Sequence, residues 1–141
     1  MTIEPGDAEN AAIFYGTGPD EALLFVYGTL KRGDCRHDLL RDGVFLGEVL
    51  TTETYRLFDC GNYPAMVWDR NGMTIKGELY RIPVSLFPRL DAEEGVESGL
   101  YARQPVTLQR IPTGVQVMTY VYLQETGTLT EISPEWKVPN S

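Results

Sequence analysis

The chain has 141 residues, 43% of them hydrophobic and 23% charged, with a mean hydropathy of −0.20; this is the length and balance of one globular domain and excludes wholesale disorder. Twelve Lys and Arg against twenty Asp and Glu give a net charge of −8 without any basic run, which argues against nucleic-acid or anionic-membrane partners. The longest apolar run, residues 22–27, is far short of the roughly 18 residues that a membrane-spanning helix needs.

Residues 1–22 hold Glu4, Asp7, Glu9, Asp20 and Glu21 and no Lys or Arg, so most of the negative excess sits there. Residues 1–21 read as an acidic, flexible arm with a short patch at 13–15 that is able to dock, and residues 22–141 as a single domain. The first twenty residues have neither a basic residue nor an apolar core, so no secretory leader is expected and the cytoplasm is the expected compartment. Residues 23–27 (LLFVY) have strand length and strand composition. They end in Gly28-Thr29-Leu30 and a polar turn at 31–34. Residues 34–42 suit a short helix packed through Leu39 and Leu40 and stopped by Gly43, with His37 in a structural role near its start. Residues 44–58, rich in Val, Thr, Tyr and Phe, suit one or two strands. Two further strands are expected at 64–68 and 73–82, with Asn71-Gly72 between them as a hairpin signal.

A helix is expected over 86–94, with Ser85 as N-cap, Pro88 in the first turn and Gly95 at the left-handed stop. Residues 101–110 and 115–123 make a final strand pair, and the turn-rich segment after Gln124 is expected to run over the surface. Cys35 and Cys60 have neither zinc-site nor Cys-x-x-Cys spacing and read as buried or half-buried free thiols. With one histidine, no metal site and no cofactor is expected. The expected fold class is α+β, a small mixed β-barrel or curved sheet with one or two packed helices.

On the 86–94 helix, Leu86, Phe87 and Leu90 form one apolar stripe. At about 100° per residue, Glu94 falls about 30° from the centre of that stripe, Glu93 about 70° and Asp91 about 90°. Burial and the negative end of the helix dipole both disfavour a charged carboxylate at Glu94. A raised pKa is how proteins prepare a general acid or base for neutral pH. The periodicity is equally met if the helix frays and Glu94 turns to solvent, or pairs with Arg81, Arg89 or Arg103. A second candidate is the junction Tyr27-Gly28-Thr29-Leu30, where a strand running into a small-residue turn leaves N–H groups without sheet partners. Such a nest can hold a carboxylate or an oxyanion, although many such junctions are simply turns.

Together these segments resemble a known family. Phe25-Val26-Tyr27-Gly28-Thr29-Leu30-Lys31-Arg32-Gly33, followed by His37 and Leu39-Leu40, is similar to the opening strand and loop of the gamma-glutamylcyclotransferases, the gamma-glutamylamine cyclotransferases included. Leu90-Asp91-Ala92-Glu93-Glu94-Gly95 followed by Tyr101-Ala102-Arg103 resembles the family's Leu-Asp-x-x-Glu-Gly…Tyr-x-Arg segment. Tyr63-Pro64-Ala65-Met66 and Lys76-Gly77-Glu78-Leu79-Tyr80 also match family stretches. The resemblance covers about residues 23–123. It implies a small-molecule gamma-glutamyl substrate that loses an amine or amino acid as the glutamyl part closes to 5-oxoproline, without a cofactor. The family's catalytic glutamate falls on Glu94, its substrate loop on Tyr27, Gly28, Thr29 and Leu30, and its pocket tyrosines on Tyr101 and Tyr120. Arg36 departs from the pattern, which often has Asn there. Lys31, Arg32 and Arg36 are available to receive an acidic substrate. A non-catalytic ligand-binding member of the fold, and an enzyme deprotecting a natural product, are the alternative readings; oligomeric state is left open.

Overall fold

The apolar run at 23–27 does not alternate because the strand it forms is covered on both faces. In the computed structural model, which describes residues 15–138, that strand is β1 (Glu21–Val26). It pairs antiparallel with β5 (Lys76–Pro83) and parallel with β7 (Val117–Tyr122). Leu23 and Phe25, followed by Tyr27, enter one core cluster, while Leu24 and Val26 enter another on the opposite side. A central strand buried on both faces reads as a continuous apolar run. Residues 1–14, which include most of the expected acidic arm and Ile13 and Phe14 of its patch, lie outside the described residues; Tyr15 packs against the first cluster.

The main sheet has five strands in the order β2-β5-β1-β7-β6, with β2 (Val44–Leu50) and β6 (Tyr101–Pro105) at its edges. A second sheet has the order β4-β3-β8, from β3 (Tyr55–Asp59), β4 (Pro64–Trp68) and β8 (Thr130–Glu131). Tyr55, Leu57 and Met66 of the smaller sheet pack against Phe25, Leu79 and Val117 of the larger one. The α+β class is as expected, but the sheets do not close into a barrel. The segments that follow β2 and β6 meet in one isolated bridge, Thr51–Leu108, and the ladder goes no further.

The hairpin expected at 69–72 is corrected by the pairing. The turn itself forms, with Gly72 N–H donating to the Asp69 carbonyl at 2.8 Å, yet β4 pairs with β3 and not with β5. The turn carries the chain around one end of β3: Trp68 is in register with Tyr55, and Met73 forms an isolated bridge with the same residue. Asn-Gly sets a tight reversal, whereas the partners of the flanking strands depend on which apolar faces the rest of the chain offers.

The segment 34–42 contains one 3-10 turn, His37–Leu40, with Leu40 buried. A second 3-10 turn, Val84–Leu86, leads into the helix α1 (Phe87–Glu93). Val84 N–H is held by the Asp20 carbonyl at 2.7 Å, so the turn starts before Ser85 and encloses it. Leu86 occupies the N-cap position without a side-chain bond, and Ser85 is not the cap. Phe87 and Leu90 of α1 are buried against Leu24, Tyr80 and Ile82; each such side chain contributes roughly 1.5–3 kcal/mol.

The tail is not a surface excursion. β8 pairs with β3, Ile132 N–H donates to the Leu57 carbonyl at 2.7 Å, and Trp136 packs against the core between the sheets. A two-residue strand and one tryptophan are too little to stand out in a turn-rich sequence. The two thiols are unpaired; Cys60 is half-buried, but Cys35 is exposed rather than covered.

Candidate active site

Beyond β1 the chain folds tightly on itself. Lys31 N–H donates to the Gly28 carbonyl at 3.0 Å, Arg36 N–H to the Thr29 carbonyl at 2.9 Å, and His37 Nδ1 lies 2.9 Å from the Leu30 carbonyl. Buried Glu78 accepts from Arg32 N–H at 2.9 Å and from Arg32 Nε at 3.3 Å. These bonds use the carbonyls of the loop and leave its own amides over. Among the described residues the N–H groups of Gly28, Thr29 and Leu30 have no hydrogen-bond partner. Thr29 and Leu30 are nevertheless buried, where an unmet donor is costly. A donor row of this kind is an anion-binding feature. Gly28 is required here by its neighbour rather than by a ligand, because a Cβ would stand 2.5 Å from Pro64 Cγ.

Opposite the loop, α1 ends in a hydrogen-bonded stop. Gly95 at φ +65° donates to the Ala92 carbonyl at 3.2 Å, and Val96 to the Asp91 carbonyl at 3.0 Å. This is the paired closure that a left-handed residue makes at a helix end, and it fixes the backbone of Glu94, whose own N–H donates to the Leu90 carbonyl at 2.9 Å. The side chain of Glu94 is half-buried and lines the pocket, while Glu93 is exposed. Burial above all, opposed by Arg36 and aided by neighbouring Glu93, lifts the Glu94 carboxyl to about 7. Two of the arginines expected as partners are engaged elsewhere, and Arg36 acts on the carboxyl without an ion pair among the described residues. Arg103 pairs with Asp91 at 3.3 Å and stacks on Phe87, and Arg81 Nε donates to the Gly16 carbonyl. Among the described residues the Glu94 carboxyl has no ion pair or hydrogen bond.

A cavity with about 370 Å³ of empty space, its open mouth included, lies between loop and helix. The residues onto which the resemblance puts catalysis and substrate binding all line it: Glu94, Tyr27, Gly28, Thr29, Leu30, Tyr101 and Tyr120. The tyrosine hydroxyls are already engaged. Tyr27 donates to the Tyr120 carbonyl at 2.6 Å, Tyr101 to the Pro64 carbonyl at 2.6 Å, and Tyr120 to Asp91 Oδ1 at 2.6 Å. Burial, before any other cause, raises all three hydroxyls above the usual tyrosine value, so they remain protonated donors. They hold the walls of the pocket; Tyr27 ties the end of β1 to β7, and Tyr101 ties β6 to β4.

Of the three basic candidates only Arg36 lines this cavity. Lys31 is buried and donates to the Trp136 carbonyl at 2.6 Å, and Arg32 is held by Glu78 and stacks on Phe45. Sequence reasoning did not place Tyr63 and Pro64 in the wall. The Tyr-Pro pair immediately before an apolar strand was the available signal, but the contact with Gly28 is tertiary.

The gamma-glutamyl cyclotransferase, AIG2-like family model matches residues 24–138. A putative gamma-glutamylcyclotransferase from Arabidopsis thaliana is 37% identical over 94 residues, which are 61% of this chain and half the length of that relative. A putative gamma-glutamylcyclotransferase from Vibrio cholerae is 34% identical over 116 residues, covering 81% of this chain and 94% of its own. The crystal structure of an AIG2-like protein from mouse superposes with a TM-score of 0.61 at 29% identity, over 75% of this chain and 78% of that one. The chain belongs to the gamma-glutamyl cyclotransferase, AIG2-like family.

Proposed function

We propose that the protein is a gamma-glutamyl cyclotransferase that releases an amine or amino acid from a gamma-glutamyl amide and leaves 5-oxoproline. The observation that carries this reading is a half-buried carboxyl group, raised by burial to about 7, in the same cavity as three amide N–H groups, all without hydrogen-bond partners among the described residues. The reaction needs these two things. The α-ammonium of the glutamyl part must lose a proton to become a nucleophile, and Glu94, raised by burial into the range where a carboxyl can both take and give a proton at neutral pH, takes it. The free amine attacks its own γ-carbonyl carbon and the γ C–N bond breaks. The attacking nitrogen gives up its second proton as the ring closes; that proton and the one held by Glu94 both pass to the departing nitrogen, which leaves as an ammonium, so the step balances without water or an added reagent.

The N–H groups of Gly28, Thr29 and Leu30 are donors for the α-carboxylate and for the oxygen that gains charge in the tetrahedral stage. Holding the chain bent in this pocket supplies ring-closing geometry, a contribution of up to about 7–11 kcal/mol in favourable cases. A glutamate fixed in a salt bridge would suit a protein that only binds its ligand; the unpaired carboxyl favours turnover.

The test is to incubate the protein with a panel of gamma-glutamyl amides and to follow 5-oxoproline by mass spectrometry. Glu94→Gln keeps the fold and loses about 10²–10⁴ in rate, the usual range for a general acid–base group. Near-wild-type turnover by that variant, or no 5-oxoproline from any amide, overturns the proposal.

A further inference from the structure

Glu94 and Arg36 are the charged side chains among the residues lining the cavity. The glutamyl part of a substrate is served without Arg36, since its ammonium meets Glu94 and its negative oxygens meet the buried amides of Gly28 to Leu30. Arg36 is held at the helix-end side of the cavity. Its own N–H is bound to the Thr29 carbonyl at 2.9 Å, and its Nη1 donates to the Glu93 carbonyl at 3.3 Å, on the exposed side of the helix end. That leaves the guanidinium half-buried beside Glu94, with no carboxylate partner among the described residues and with donors to spare. A ligand that spans the cavity from the amide row to this helix end would bring its leaving group to the guanidinium.

We propose that Arg36 reads a carboxylate on the departing group, so that the preferred substrates are gamma-glutamyl amides of amino acids rather than of simple amines. The proposal rests on the cyclotransferase reading and specifies the substrate class of the same site.

A second groove is acidic, lined by Asp34, Asp59 and Glu135 with Lys137, whereas the first cavity balances one glutamate against one arginine; its aspartates are already occupied. Asp34 accepts from Trp136 Nε1 at 2.9 Å and from Cys35 N–H at 2.6 Å, Asp59 accepts from Gly61 N–H at 2.6 Å, and Lys137 lines the groove beside Glu135. Those aspartates fasten the tail and a turn, whereas Arg36 has a pocket in front of it.

The test compares three substrates that differ only at the leaving group: gamma-glutamylglycine, gamma-glutamylglycinamide and the gamma-glutamyl monoamide of 1,2-diaminoethane. With wild-type protein, kcat/KM for gamma-glutamylglycine exceeds the other two by about tenfold or more, as expected for one charge-assisted pair. Arg36→Gln, checked for folding by its melting curve, brings the ratios close to one, and Arg36→Lys keeps part of the preference. A wild-type protein without preference, or one that favours the uncharged or cationic leaving group, overturns the proposal whether or not the variants fold. So does an Arg36→Gln protein that loses rate equally on all three, since Arg36 would then hold the shared glutamyl part. Absence of turnover on every substrate is a different result, which removes the cyclotransferase reading and this inference with it.

Discussion

Glu94 carries two opposed consequences of one burial. Its carboxyl is raised from the ordinary 4.5 to about 7, so the fold prefers it protonated while the proposed proton transfer needs it ionised. With a base that must be unprotonated, kcat/KM falls as pH drops through about 7, with the midpoint read from a pH–rate profile on any accepted substrate. For stability the sign is reversed. Because the folded value lies above the unfolded one, the native state holds its proton more tightly, and that contribution is complete below pH 4.5 and lost as pH rises through about 7. Above that point the ionised group is a burden, and Glu94→Gln is expected to raise stability at pH 8 by roughly 1–3 kcal/mol. Denaturant melts at pH 8 and pH 4 check this, since the gain at pH 8 must vanish at pH 4. The sequence pointed to this acid among three neighbours through helix periodicity alone. It ordered the other two the wrong way: Asp91 is drawn inward by Tyr120 and Arg103, while Glu93 is exposed.

At the level of elements, the end of α1 matters more than its start. The start has no side-chain cap and is set by a preceding 3-10 turn. The end is a complete left-handed closure through Gly95. In Gly95→Ala a side chain must accept φ +65°, and its Cβ lies 3.1 Å from Leu100 Cβ. The expected loss is about 1–2 kcal/mol, seen as a lower melting temperature, together with a fall in kcat as Glu94 moves out of register. A variant that melts lower yet keeps full kcat would separate the helix stop from the site. The stop was legible because glycine after an amphipathic run is a local signal. The Asn-Gly turn was legible as a turn and misleading as a hairpin, because β4 found β3 while β5 found β1 and β2.

Across the whole molecule, the tail joins the scaffold to the site. β8 extends the smaller sheet, Pro134 accepts from Lys76 N–H at 2.7 Å, and the Trp136 carbonyl holds Lys31, one residue beyond the amide row. A chain ending at Leu129 loses these together. The expected cost is about 2–4 kcal/mol from the lost main-chain bonds and apolar cover. A more than proportional loss of activity accompanies it, because the loop loses its outer anchor. Urea melts and kcat on the truncated chain measure the two effects, and a truncated protein with wild-type kcat would show the loop to be held by Glu78 alone.

The sequence by itself determined what depends on neighbours along the chain: an apolar strand at 23–27, a helix ended by glycine, an acid on its apolar side, and a strand end with amides to spare. These follow from side-chain period and backbone geometry, which act over a few residues. Tertiary structure alone decided which strands pair, that the sheets stop short of a barrel, that the tail is bound, and that Arg36 rather than Lys31 or Arg32 faces the pocket. Those outcomes turn on contacts between residues tens of positions apart, where several partners of similar chemistry compete and only the packed chain selects among them.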